Sequence, residues 1–176
     1  MRKYILTVLA FISLVLSLQT SFAQKITVGE HRINNSIYKV TLSSDKSKLI
    51  LSLKNKPFIP ENKEIIDGLY SYDVDVYATN RTAWHQLVLN ALPKEKVDSL
   101  KQRKEKISIY FTVKPTGEMY FKSYTLPHNT ILTMQDLSNM DRKLMNDFRF
   151  DFKSTKNRHL QLSFVMMNLD LDFGKL

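Results

Sequence analysis

The chain contains no cysteine, and only four glycines and five prolines are spread over its 176 residues. Each shortage removes a class of chemistry. Without cysteine there is no disulfide framework, no thiolate nucleophile and no cysteine-based zinc site, and no lipid-modified cysteine can follow the N-terminal apolar run. The glycines, Gly29, Gly68, Gly117 and Gly174, stand far apart. Phosphate-cradling loops and dinucleotide fingerprints need several close together, because the backbone must approach the phosphates without a Cβ in the way, so both are excluded. Neither a Gly-x-Ser-x-Gly elbow nor a His-Glu-x-x-His zinc pair occurs. The histidines, His31, His85, His128 and His159, fall in four different predicted elements and show no metal-ligand spacing. The sequence therefore assigns no catalytic residue, no metal and no cofactor.

One long hydrophobic run exists, and it lies at the N-terminus. Arg2 and Lys3 precede an apolar stretch from Ile5 to Leu18, and Ser21-Phe22-Ala23 ends in small residues at the positions a signal peptidase requires. Gln19, Thr20 and Ser21 break the stretch short of the roughly 20 apolar residues that span a bilayer. The reading is a cleavable signal peptide over residues 1–23, cut between Ala23 and Gln24, with no retained membrane span and export to the periplasm or beyond. Residues 24–176 remain, enough for one α+β domain that folds on hydrophobic burial alone.

Removing Arg2 and Lys3 lowers the formal charge of +9 by two, and the mature chain stays basic. The densest stretch, Lys94 to Lys106, mixes six cations with Glu95, Asp98 and Glu105. Interspersed signs fit a solvated helix better than a polyanion-binding surface, so nucleic acid is disfavoured as a partner.

The periodicity divides residues 24–176 into an N-terminal part, 24–106, and a C-terminal part, 107–176. In the first, short strands are predicted at Ile26 to Val28 and Ile37 to Leu42. A turn at Ser43 to Lys46 leads into a strand carrying Leu49, Leu51 and Leu53. Lys56 to Gly68 reads as a loop, and Tyr72, Val74 and Val76 as another strand. Asn80 is placed to cap a helix through Ala83, Trp84, Leu87, Val88 and Ala91. Pro93 would open a second short helix towards Lys101, with Val97 and Leu100 inward.

In the second part, Ile107, Ile109, Phe111 and Val113 alternate up to Lys114-Pro115-Thr116-Gly117, a type I turn with a glycine bulge. The register then pairs Lys114 with Glu118, Val113 with Met119 and Phe111 with Phe121. Thr133 and Asp136 form a capping box, flanked by Leu132 and Leu137, for a helix with Leu137, Met140, Leu144, Met145 and Phe148 on one face. Phe148, Phe150 and Phe152 alternate after it, a loop spans Ser154 to Asn157, and a long final strand starts at Leu160. Its apolar positions change phase near Met166-Met167, which predicts a bulge or bend.

On the same register, Tyr110, Tyr120, Lys122 and Tyr124 share the hairpin face opposite the core, with Ser108 and Thr112 between them. Tyrosine offers a flat apolar body and a polar tip, which suits sugars, peptides or exposed bases, and these four residues are the candidate binding site. The carboxylate pairs Asp73/Asp75 and Asp170/Asp172 each lie on one strand face and read as solvating charges.

The succession "ISIYFTV", "KPTGE", "MYFKSYTL", "DLSNMDRKLMNDF", "RFDF" and "LQLSFVM" resembles the C-terminal domain of TonB-type energy-transducing proteins. The chain is also similar to small exported proteins of Gram-negative gut bacteria. The TonB resemblance implies a hairpin–helix–strand unit in an antiparallel sheet, with one or two further helices outside it, and recognition of a partner's extended segment by strand addition. These features together point to a non-enzymatic binding or adaptor module whose partner is a protein or glycan of the cell envelope. The alternatives are a hydrolase of envelope polymers with a site assembled from distant residues, and a surface-assembly subunit.

Overall fold

Side chains alternate across a strand, so residues apolar at every second position bury one face of a sheet and solvate the other. In the computed structural model, which describes residues 25–33, 36–55, 61 and 73–176, that pattern yields two sheets. Strands β1 (Gly29–Ile33), β2 (Ser36–Leu42) and β3 (Lys48–Leu53) precede the short β4 (Val76–Ala78). Helices α1 (Trp84–Asn90) and α2 (Lys94–Gln102) follow, then β5 (Lys106–Val113), β6 (Met119–Pro127), helix α3 (Met134–Asp147), β7 (Phe152–Ser154) and β8 (Val165–Asp172). Six strands form an antiparallel sheet in the order β1-β2-β3-β6-β5-β8, and β4 pairs with β7 alone. The α+β class and the hairpin–helix–strand unit are both present, since α3 links the β5–β6 hairpin to β8, which returns beside β5.

The buried face of the sheet carries Val40, Leu49, Leu51, Ile107, Ile109, Phe111, Leu126 and Leu171, all at most 1% exposed. Against it pack Trp84 and Val88 of α1, Leu100 of α2, and Leu137, Met140 and Leu144 of α3. Phe150 meets Phe111 edge-on at 5.2 Å and Phe148 at 4.7 Å, which ties the exit from α3 to the sheet.

Helix α3 is fixed at its start by the expected capping box. The Thr133 hydroxyl accepts from the Asp136 N–H, and the Asp136 carboxylate accepts from the Thr133 N–H at 2.9 Å. The Lys114–Gly117 turn is also as expected, with Gly117 at φ 90°. Its glycine is required twice over, because a Cβ there would stand 2.0 Å from the Phe150 carbonyl oxygen.

Several local expectations need correction. Residues Ile26 to Val28 form no strand: Ile26 is buried in the core, and Lys25 bridges to Thr133 at the start of α3, so β1 begins at Gly29. Asn80 does not cap α1. Its amide donates to the Arg149 carbonyl at 2.8 Å and accepts from the Asp151 N–H at 2.9 Å, pinning the turn before α1 to the approach to β7. Pro93 stands at the N-cap of α2, one residue before its first turn. The final strand begins at Val165, because Thr155–Gln161 forms a 3-10 segment in which the His159 N–H donates to the Ser154 hydroxyl. The change of phase near Met166 therefore marks a boundary between helix and strand. The predicted strand carrying Val74 starts only at Val76. Residues 1–23, the Lys56 to Gly68 loop and Tyr72 lie outside the described residues, apart from Glu61. Among the described residues no helix is long and apolar enough to cross a membrane.

Two substitutions separate these supports. Gly117→Ala should cost more than about 2 kcal/mol, from the positive φ and the backbone clash together. Thr133→Ala should cost about 1 kcal/mol through the lost cap. Urea denaturation of both checks the ranking, and equal losses would contradict it.

Candidate binding site between helix α3 and the sheet

The site begins with one extra residue. Val113 pairs with Met119 as expected, but the next pair is Thr112 with Phe121, so Tyr120 is left over as a bulge in β6. Beyond it the whole strand changes face. Tyr110 lies opposite Ser123, Phe111 opposite Lys122, and Ile109 opposite Tyr124. The expected pairs Phe111–Phe121 and Tyr110–Lys122 do not form, and the four candidate residues do not share a face. Tyr110 stays on the outer face, 38% exposed, where its hydroxyl donates to the Met166 sulfur at 2.8 Å. Lys122 and Tyr124 point into the core beneath α3, at 4% and 0% exposure.

Asp141 of α3 meets them there. Its Oδ1 lies 3.2 Å from the Lys122 Nζ and also accepts the Tyr124 hydroxyl. The helix supplies this carboxylate from its sheet-facing stripe, since Asp141 falls four residues after Leu137 and three before Leu144. Burial pushes the Asp141 carboxyl up to about 8 and the Lys122 ammonium down to about 7. It raises the Tyr124 phenol as well, so Tyr124 remains a protonated donor.

Lys122 and Asp141 of this cluster line a cavity of about 290 Å³ between α3 and the β1-β2-β3-β6 part of the sheet. From α3, Ser138, Asp141, Arg142 and Met145 line it at the i, i+3, i+4, i+7 spacing of one helix side. The sheet contributes Tyr38, Leu53, Tyr120 and Lys122. The bulged Tyr120 also lies under the Lys114 ammonium, 5.7 Å from the ring centre. The arrangement combines apolar and aromatic walls with a few convergent polar groups, the usual make-up of a small-ligand site.

Other titratable groups are held separately. His31 bonds the Thr27 carbonyl and His159 bonds Ser154. The Asp170 carboxylate takes Lys106 and Ser108 on the outer face, which lowers its pKa. Among the described residues no three histidines or carboxylates gather to hold a metal ion.

No protein-family model matches the sequence, and no curated protein matches it. The fold does have a solved counterpart. It is similar to the crystal structure of a DUF5043 family protein from Bacteroides uniformis ATCC 8492, at a TM-score of 0.60 and 15% sequence identity. The match covers 85% of this chain and 86% of the other. At that identity the likeness establishes the fold.

The sequence did hold a sign of the buried cluster in Asp141, a carboxylate inside the apolar stripe of α3 that calls for a buried cation. Two predictions follow from it. Asp141→Ala leaves the buried Lys122 and Tyr124 without their shared partner and should cost about 3–5 kcal/mol, whereas Lys122→Met with Asp141→Leu should restore most of that loss. The pH dependence has two limbs. Asp141 holds its proton more tightly folded than at its ordinary 3.8, so stability falls as pH rises from about 4 to 8. Lys122 holds its proton less tightly than at its ordinary 10.5, so stability rises from about pH 7 towards 10. Subtracting the double variant's urea stability from that of the wild type should give a minimum near pH 7–8. A flat difference would contradict it.

Proposed function

We propose that this chain is an exported, non-enzymatic binding module of the cell envelope, folded as one domain from Gln24 to Leu176. Its recognition site is the cavity between α3 and the sheet, where Tyr120 and Lys122 line the walls and Tyr124 fixes the Asp141 carboxylate. The observation that carries this reading is the cavity itself: charged and tyrosine side chains converge on a pre-formed hollow with apolar walls. The signal-peptide-like start supports export, and the fold shared with a Bacteroides protein fits an origin among Gram-negative gut bacteria. A protein or glycan of the envelope is the partner, presenting one side chain or one sugar unit to the cavity.

A second reading rests on a different observation. Among the described residues β4 and β8 each have one edge without a paired strand, and they flank a groove lined by Val76, Tyr77, Met166 and Asn168, with Tyr77 and Met166 each 55% exposed. Tyr110 adjoins Met166 there. Strand addition in this groove would match the mode implied by the TonB resemblance.

Export is checked by sequencing the N-terminus of protein recovered from the periplasm, which should start at Gln24. Native mass spectrometry of the protein after incubation with envelope extract should show a bound mass for wild type. Met145→Trp, at a partly exposed position on the cavity rim, should abolish it. A bound mass retained by Met145→Trp and lost from Tyr110→Ser would place recognition at the β4–β8 groove.

A further inference from the structure

The charges of the cavity do not balance. Lys122 and Asp141 answer each other at 3.2 Å, but Arg142, one residue on and lining the same hollow, has no ion-pair or hydrogen-bond partner among the described residues. The next residue, Lys143, pairs with Asp147 at 3.1 Å. Beyond the mutually satisfied Lys122–Asp141 pair, the cavity thus holds a guanidinium unpaired among the described residues, beside apolar walls from Ile33, Leu53 and Met145.

We propose that the cavity binds an apolar group carrying a carboxylate, with the carboxylate on the Arg142 guanidinium and the apolar body against Leu53, Ile33 and Met145. This assignment rests on reading the cavity as the recognition site. A guanidinium presents a planar fork of donors that matches a carboxylate in two hydrogen bonds, which a cationic or neutral ligand cannot use. A ligand cation would instead face both Lys122 and Arg142. A volume of about 290 Å³ lies at the small end of ligand sites, so the group is small. Two sources present this chemistry: a free organic acid, and the C-terminal apolar residue of an envelope peptide.

NMR titration of the isotope-labelled protein from Gln24 to Leu176 tests the assignment. The probes are 3-phenylpropionate, 3-phenylpropylamine, 3-phenylpropan-1-ol, and acetyl-Ala-Ala-Phe as its free acid and its amide. The two carboxylates should shift the amides of Tyr120, Lys122, Asp141 and Arg142 saturably, the amine should not, and the alcohol should bind at least about tenfold more weakly. Arg142→Gln, at an exposed position, should weaken carboxylate binding by about tenfold and leave the remaining spectrum unchanged. Tighter binding of the peptide acid than of 3-phenylpropionate supports a chain terminus as the source, and the reverse order supports a free acid. Equal binding of the amine or the alcohol, or an unaffected Arg142→Gln, overturns the carboxylate assignment while the cavity stands as the site. If no probe moves these amides the assignment also falls, and the Met145→Trp comparison in envelope extract then decides whether the cavity is a site at all.

Discussion

The bulge at Tyr120 determines what the rest of the sheet can do. A strand has a side-chain period of two, so one extra residue sends every later side chain to the opposite face. With Tyr120 set aside, Lys122 and Tyr124 turn under α3 and Tyr110 keeps the outer face. Leu126 falls opposite Leu49 and completes the apolar row across β3. Were the bulge absent, the core would receive Ser123 and Thr125 in place of Tyr124 and Leu126, and Asp141 would have no buried partner.

The buried Lys122–Asp141 pair is costly to keep. Removing two charges from water costs several kcal/mol per ion, and a well-packed apolar pair of the same volume would often be at least as stable. The cluster limits that cost by sharing. A single Asp141 oxygen takes both the Lys122 ammonium and the Tyr124 hydroxyl, so the carboxylate is satisfied from two directions. Such a cluster beside a cavity supplies donors and an acceptor already held in place, which lowers the ordering entropy a ligand must overcome.

Much of the fold was legible in the sequence, wherever local chemistry decided it. The capping box of α3, the Lys114–Gly117 turn, the β2–β3 hairpin and the inward Phe148, Phe150 and Phe152 each follow from a few neighbouring residues. What escaped was set by partners far along the chain. Asn80 has the chemistry of a cap but is claimed by Arg149 and Asp151, about 70 positions away. Leu160 and Leu162 alternate like a strand, yet Leu160 lies in the 3-10 segment that follows the Ser154–His159 bond, and Leu162 is the extended residue that ends it. The expected common face of Tyr110, Tyr120, Lys122 and Tyr124 was lost by a single residue of register. Its residue types were recognisable, but the bulge that sorts them has no signature such as glycine within β6. Arg142 was equally invisible, because only the shared cavity distinguishes it from other surface cations.

The contact between Gly117 and Phe150 bears on how the molecule can be handled. By sequence, Lys114-Pro115-Thr116-Gly117 is the kind of exposed turn into which a tag or reporter is readily inserted. In the fold it is a clasp: the Gly117 carbonyl accepts the Phe150 N–H at 3.0 Å, and the glycine lies flat against that backbone. The Ser43–Ser47 turn is held by its own Asp45 and exposed on its outer side. Because the chain has no cysteine of its own, a single engineered thiol on the exposed side of this turn, at Ser44 or Lys46, gives a unique attachment point for a fluorophore or a surface tether.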